Sequence, residues 1–234
     1  MSSAVSGTES AECTADWRLL DDLFHALSQP LTTLRCGLAV SLQKPRTTAR
    51  YRRDLQVALQ QAESVAHFAA GIREVVQAGV PDQDQLASDL SQCLREVGSH
   101  LQPVAESSKV RLHVSSGSDC PVKLEAGRLR QALFRLMEFA LQSSRAGSQI
   151  RVNVTRENPE AVLTMFIVPQ EQRNPPGRPR SQDGAELGRR LIYAIARRIF
   201  ETAGGHLRIR RGPKRMTLTV RLPLSVQEPA LPLA

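Results

Sequence analysis

The residue best placed for chemistry in this chain is His25, which sits beside a heptad seam and five residues before Pro30 in Asp22-Leu23-Phe24-His25-Ala26-Leu27-Ser28-Gln29-Pro30-Leu31-Thr32. Apolar residues recur at Trp17, Leu20, Phe24, Leu27, Leu31, Leu34 and Leu38 in alternating steps of three and four, a bundle pattern of about three heptads. His25 directly follows the seam residue Phe24, so its imidazole is expected on the flank of the stripe, within reach of an incoming partner. A histidine displayed this way on a helical bundle can accept a phosphoryl group. Pro30 removes a backbone hydrogen bond and crowds the carbonyl four residues back, at roughly 3 kcal/mol, so a local bend beside the histidine is expected. The plainer alternative is an ordinary exposed helical histidine.

The elements that must hold this segment are two long helices. The first is expected from about Asp16 to Gln43, broken at Pro45, with Thr47 or Thr48 able to cap the next. The second carries Leu55, Leu59, Ala62, Val65, Ala69, Ile72 and Val76 at helical spacing and stops at Gly79-Val80-Pro81. A short loop between them makes an antiparallel hairpin. One hairpin cannot bury both stripes, so dimerisation into a four-helix bundle is the expected solution.

From Leu86 the pattern alternates. Helices are expected at Leu86 to Glu106, Glu125 to Ser143 and Leu187 to Ala203, the last ending at Gly204-Gly205. Strands are expected at Val110 to Val114, at Val122 to Leu124, and in two hairpins, Gln149 to Arg156 with Ala161 to Val168 and His206 to Arg211 with Met216 to Leu222. The expected fold class is therefore α+β: the helical hairpin, then an α/β sandwich of helices on an antiparallel sheet. The expected boundaries are a disordered start at 1–15, the hairpin at 16–79, the sandwich at 86–225 and a disordered tail at 226–234. The segment Gln170 to Asp183, rich in Pro, Gly, Arg and Gln, is expected to be mobile.

Composition narrows the class. The chain has 234 residues, 41% hydrophobic and only 4% aromatic, which suits a helical core rich in Leu, Ala and Val. Neither a membrane span nor a signal peptide is supported, so a cytoplasmic protein is expected. Cys13, Cys36, Cys93 and Cys120 are scattered, as are His67, His100, His113 and His206, and none makes a metal signature. The net charge of +8 comes mostly from arginine and favours acidic partners. Nucleic acid is not the expected one, because no binding motif is present and aromatic residues are few.

The segment His25, Ala26, Leu27, Ser28, Gln29, Pro30, Leu31 resembles the H-box of two-component sensor histidine kinases, with His25 as phosphoacceptor. The family's acidic residue after the histidine is replaced by Ala26, which cannot act as a base. Gln29 stands where a Thr or Asn commonly orients the water that hydrolyses a partner's phosphoaspartate, and an amide can hold a water. Further on, the order of elements resembles the catalytic domain of the same kinases, the Bergerat-type ATP fold. Glu125 to Ser144 looks like its N-box helix, and Arg198 to Ile209 through Thr217 to Leu224 looks like its C-terminal end. The likeness covers about Asp16 to Leu224.

By register, the polar residues that serve nucleotide in that family are missing. The asparagine that would hold Mg²⁺ falls on Phe139, and the one a turn earlier on Arg135. The adenine-binding aspartate falls on Pro169, and its following glycines on Glu171 and Arg173. In the second glycine box the phosphate-facing glycines fall on Arg190 and Ile192, with Gly188 two residues too early. Arg189 and Arg190 are either a residual anion site or solvated arginines.

The resemblance thus implies a degenerate kinase core. The expected activity is histidine phosphotransfer between receiver-domain aspartates through His25, with no cofactor of its own and no metal ligands. Mg²⁺ would come with the partner receiver, and ATP binding would be lost. The expected partners are response-regulator receiver domains and a second copy of the chain. The alternatives are a non-catalytic pseudokinase scaffold or a phosphatase using Gln29, and, less favoured, an ATP-dependent histidine kinase.

Overall fold

The computed structural model describes residues 6–43, 45, 47–80, 87–117, 119–169, 183–212 and 214–225. The first five residues, the 226–234 tail and most of the expected mobile segment lie outside this set, as do the side chains of Trp17, Leu20 and Cys13. The backbone divides into two compact units, Met1–Val76 with Arg180–Leu191, and Gln77–Pro179 with Ile192–Ala234.

The first unit is built on α1 (Ser6–Gln43) and α2 (Thr48–Ala78). Helix α1 starts ten residues before the expected Asp16, in the stretch expected to be disordered. The reason is local: Glu9, Ala11, Glu12 and Ala15 are good helix formers and no breaker follows Gly7 before Pro30. At the turn between the helices, the Ser41 hydroxyl donates to the Asp54 carboxylate at 2.8 Å, and the Thr47 carbonyl accepts from the backbone N–H groups of Arg50 and Tyr51. Apolar side chains of this unit stay uncovered in the single chain: Phe24 is 57% exposed, Leu55 61% and Leu59 60%, with Leu31 and Leu38 also exposed.

The second unit begins with a small antiparallel pair, β1 (Ser88–Asp89) and β3 (Pro121–Val122). Asp89 then caps α3 (Leu90–Ser107), its carboxylate accepting from the N–H groups of Ser91 and Gln92. The cap sets the helix start at Leu90, later than the expected Leu86, which is outside the described residues. Helix α4 (Ala126–Gln142) is capped in the same way by Glu125.

The main sheet has five strands in the order β2-β4-β5-β7-β6: β2 (Arg111–Ser116), β4 (Gln149–Glu157), β5 (Glu160–Val168), β6 (His206–Arg211) and β7 (Met216–Pro223). Both expected hairpins are present. The sheet is mixed, not antiparallel as expected, because β2 lies parallel to β4 with Leu112 opposite Ile150. The connection between those two strands contains α4, and a crossover helix returns the chain in the same direction. One face of the sheet packs the core, through Ile150, Val152, Leu163, Met165, Leu218 and Val220, all buried. The buried stripes of α3, α4 and α5 (Asp183–Thr202) complete it, with Leu94, Leu133, Leu136, Ile195 and Phe200 essentially inaccessible. Helix α5 ends as expected at Gly204, where φ is +74°, a conformation that glycine takes without strain. The Gly205 N–H closes the helix on the Phe200 carbonyl at 2.9 Å.

Candidate functional site

Helix α1 carries His25 and continues through Pro30. Proline has no N–H to give the carbonyl of residue 26, and hydroxyls bond back to the helix on either side of that gap. Ser28 Oγ donates to the Phe24 carbonyl at 2.8 Å, and Thr33 Oγ1 to the Gln29 carbonyl at 3.0 Å. Such back-bonding favours a bend. His25 is exposed, Leu27 half-buried and Pro30 buried, so the helix turns its proline inward and its imidazole outward. Gln29 is exposed too and lies four residues after His25, on the same helix face about 6 Å further along. The side chain at position 26 is outside the described set.

In the second unit, Glu125 fixes the start of α4 by accepting from the N–H groups of Gly127 at 2.7 Å and Arg128 at 2.8 Å. These bonds hold its carboxyl below the usual glutamate value. Within the same unit, the Arg128 guanidinium donates to the Ala78 carbonyl at 2.7 Å and also to that of Val80. About two turns of α4 later, Arg135 is half-buried and bonded to Glu138 at 2.7 Å.

Phe139 is only 4% exposed. Its ring centre lies 5.6 Å from that of Tyr193 on α5, tilted by 49°. The Tyr193 hydroxyl donates to the Leu207 carbonyl at 3.4 Å, and burial pushes the phenol up, so it stays protonated. This aromatic pair is part of the core. At the end of β5, Pro169 follows Val168; Glu171 and Arg173 lie outside the described residues. Early in α5, Arg189 is held by Glu186, its Nε donating at 3.2 Å, which commits that arginine to a neighbour on its own helix. Arg190 is exposed, Ile192 buried, and Gly188 faces open space.

No protein-family model matches the chain. The sensor protein IrlS of Burkholderia pseudomallei is 26% identical over 200 residues, covering 79% of this chain and 42% of that protein. The chain therefore spans under half the length of this curated relative. Among solved structures, the histidine kinase AdeS of Acinetobacter baumannii superposes with a TM-score of 0.56 at 18% identity, over 86% of this chain and 98% of that one. The histidine kinase ThkA, in its complex with the response regulator protein TrrA, gives 0.58 at 14% identity, over 94% of this chain and 62% of that one. The fold is that of a histidine kinase core.

On that fold, the residues named from sequence fall into two groups. His25 and Gln29 share an exposed face of one helix. Phe139 and Arg135, which take the positions expected of the metal-binding asparagines, offer no oxygen: one is a buried ring, the other a cation already bonded to a carboxylate. These side chains do not fit Mg²⁺ with a nucleotide triphosphate. Among the described residues there is no cluster of His, Cys, Asp and Glu suited to a metal, and no helix long and apolar enough to cross a membrane. Cys93 and Cys120 are buried, which raises both thiols and leaves them unreactive.

Sequence reasoning missed three features. The tilted packing of Tyr193 against Phe139 and the bonds of Arg128 to the Ala78 and Val80 carbonyls join residues far apart in the chain, and no local pattern signals either. The third, a row of cations on the open face of the sheet, had a signal in the alternation of Arg208 and Arg210 with Leu207 and Ile209.

Proposed function

We propose that the chain is a two-component phosphorelay protein, a histidine phosphotransferase that passes a phosphoryl group between receiver-domain aspartates through His25 without ATP. The observation that carries this reading is a contrast within one kinase-type fold. His25 is exposed on a helix tailored around Pro30, while Phe139 is sealed into the core against Tyr193.

The chemistry needs little from the protein. An imidazole nitrogen attacks the phosphorus of a receiver's phosphoaspartate in line, the acyl-phosphate P–O bond breaks, and the aspartate leaves as carboxylate. The reverse step delivers the group to a second receiver. The receiver supplies the Mg²⁺ that neutralises the phosphoryl oxygens, so His25 has only to be presented at the right distance and angle. Response-regulator receiver domains are thus the proposed partners, in keeping with the ThkA and TrrA complex.

A second copy of the chain is the proposed cover for the bundle. Phe24, Leu31, Leu38, Leu55 and Leu59 remain exposed in the single chain, and pairing two hairpins into four helices would bury them.

Gln29 favours one further activity. Its amide, a turn from His25 and open to water, is placed to orient a water toward a docked phosphoaspartate, which would make the same face a phosphatase.

The test uses purified chain, a phosphorylated receiver and no nucleotide. Label should appear on the protein, be lost in His25→Gln, and not appear from γ-labelled ATP with Mg²⁺. Label from ATP on His25 would refute the ATP-free reading, and a receiver that binds but never transfers would point to a scaffold instead.

A further inference from the structure

Among the described residues, the helices lie on one face of the five-stranded sheet and none lies on the other. On the open face, cross-strand pairing places His113, Arg151, Phe166, Thr217 and Arg210 in one row, and Ser115, Asn153, Thr164, Thr219 and Arg208 in the next. Cross-strand partners share a face, so these side chains form one continuous surface. Arg151, Arg208, Arg210, His113, Ser115 and Asn153 are exposed, and Phe166 is half-buried at the centre.

Within this surface lies a groove of about 350 Å³ lined by His113, Ser115, Arg151, Asn153, Phe166 and Arg215. The Arg215 guanidinium stands over the Phe166 ring, 5.2 Å from its centre. Arg151 donates to the neutral Gln149 amide oxygen at 3.1 Å. Among the described residues, neither arginine is paired with a carboxylate, nor are Arg208 and Arg210. The acids of this face, Glu157 and Glu160, sit at the far end of the β4–β5 hairpin and are bonded to Arg221.

Two guanidinium forks, an imidazole, a hydroxyl and an amide converging on one groove are a donor set for phosphate oxygens. The ring beneath Arg215 adds the flat apolar surface that a heterocycle stacks on. We propose that this groove binds a phosphorylated small molecule with a planar ring, the chemistry of a nucleotide. Its phosphate would lie on Arg151 and Arg215, with His113, Ser115 and Asn153 at its edge, and its ring against Phe166. A long nucleic acid strand fits less well, because Phe166 is the one aromatic side chain among the described residues of this face and a strand stacks base after base. The groove lies on the sheet face opposite α4 and owes nothing to Phe139 or to His25. Failure of the phosphotransfer reading leaves it standing, and the reverse also holds.

The test is calorimetric titration of the full chain with GMP, AMP, ribose 5-phosphate and inorganic phosphate, with thermal melts to confirm that each variant is folded. The expected result is saturable binding of a nucleotide, tighter than ribose 5-phosphate or phosphate. Arg151→Ala with Arg215→Ala should weaken every phosphate probe about tenfold or more. Phe166→Leu should weaken the nucleotide and leave phosphate unchanged, and Arg189→Ala should change nothing. The proposal is overturned if the double variant binds the nucleotides as the parent does, or if no probe binds saturably at millimolar concentration. It is equally overturned if ribose 5-phosphate matches the nucleotides, or if an oligonucleotide or acidic peptide occupies the face where the nucleotides do not.

Discussion

The surroundings of His25 on α1 and of Phe139 on α4 differ sharply, at two positions where the resemblance to histidine kinases would expect chemistry. Around His25 the helix keeps a polar group outside: Pro30 is turned inward, the Ser28 and Thr33 hydroxyls bond back to the helix on either side of the gap it leaves, and His25 and Gln29 face water together. Around Phe139 everything is shaped to keep water out, with Leu136, Met137 and Ala140 buried on the same helix and the Tyr193 ring alongside. A fold's core and its cofactor site can thus part company. Burial of the α4 stripe stabilises the sandwich whether or not nucleotide chemistry survives, whereas the exposed His25 side chain adds little to stability.

The sharpest way to break the contrast is Phe139→Asn, which restores the polar residue that the resemblance expects there. Removing the ring and burying an amide in its place should lower unfolding stability by about 3–5 kcal/mol, read by chemical denaturation. It should not produce labelling of His25 from ATP. Recovery of ATP-dependent labelling would mean that the site had been closed by one side chain alone.

Pro30→Ala probes the other side. It restores a helical hydrogen bond and removes a residue that costs roughly 3 kcal/mol in a helix interior, offset by the loss of a buried ring, so the bundle should gain about 1–3 kcal/mol. Phosphoryl acceptance should fall in the same variant if the bend serves His25. A stabilised bundle with unchanged transfer would reduce the proline to an accident of packing.

The cap on α4 gives a smaller effect with a defined pH dependence. Glu125→Ala should cost about 1 kcal/mol at neutral pH. Because two backbone N–H groups lower the Glu125 pKa in the folded state, its contribution is fully present above the ordinary glutamate value of about 4.3 and is lost as pH falls through the depressed one. Thermal melts from pH 7 to pH 3 should therefore converge for parent and variant at the acid end. The smallest structural effect is expected for Gln29→Ala, within about 0.5 kcal/mol because the side chain is exposed. Receiver dephosphorylation should slow while receiver binding stays intact, and unchanged dephosphorylation would remove Gln29 from the chemistry.

Much of this contrast could be read in the sequence because helix periodicity reports which face of a segment is buried. The seam sets Phe24 apart from His25 in the sequence, although both side chains are exposed in the single chain, Phe24 at 57%. The Glu125 to Ser143 stripe likewise predicts a buried face, and Phe139 occupies the position where the resemblance expects a metal ligand. What could not be read was which residue meets which across the fold. Strand alternation places Leu112 and Ile150 on one face and says nothing of whether their strands run parallel, and no spacing links Phe139 to Tyr193. The early start of α1 is not legible as a seam, because Glu9 to Ala15 has helix propensity without an apolar stripe.

The central claim is that His25 takes its phosphoryl group from a protein and not from ATP. Its most direct measurement is mass spectrometry, under conditions that preserve phosphohistidine, of the chain after incubation in parallel with a phosphorylated receiver and with Mg²⁺-ATP. The account predicts phosphate on His25 in the first reaction and none in the second, with His25→Gln unmodified in both. Phosphate on His25 from ATP, or a chain that stays unmodified with every receiver it binds, would contradict it.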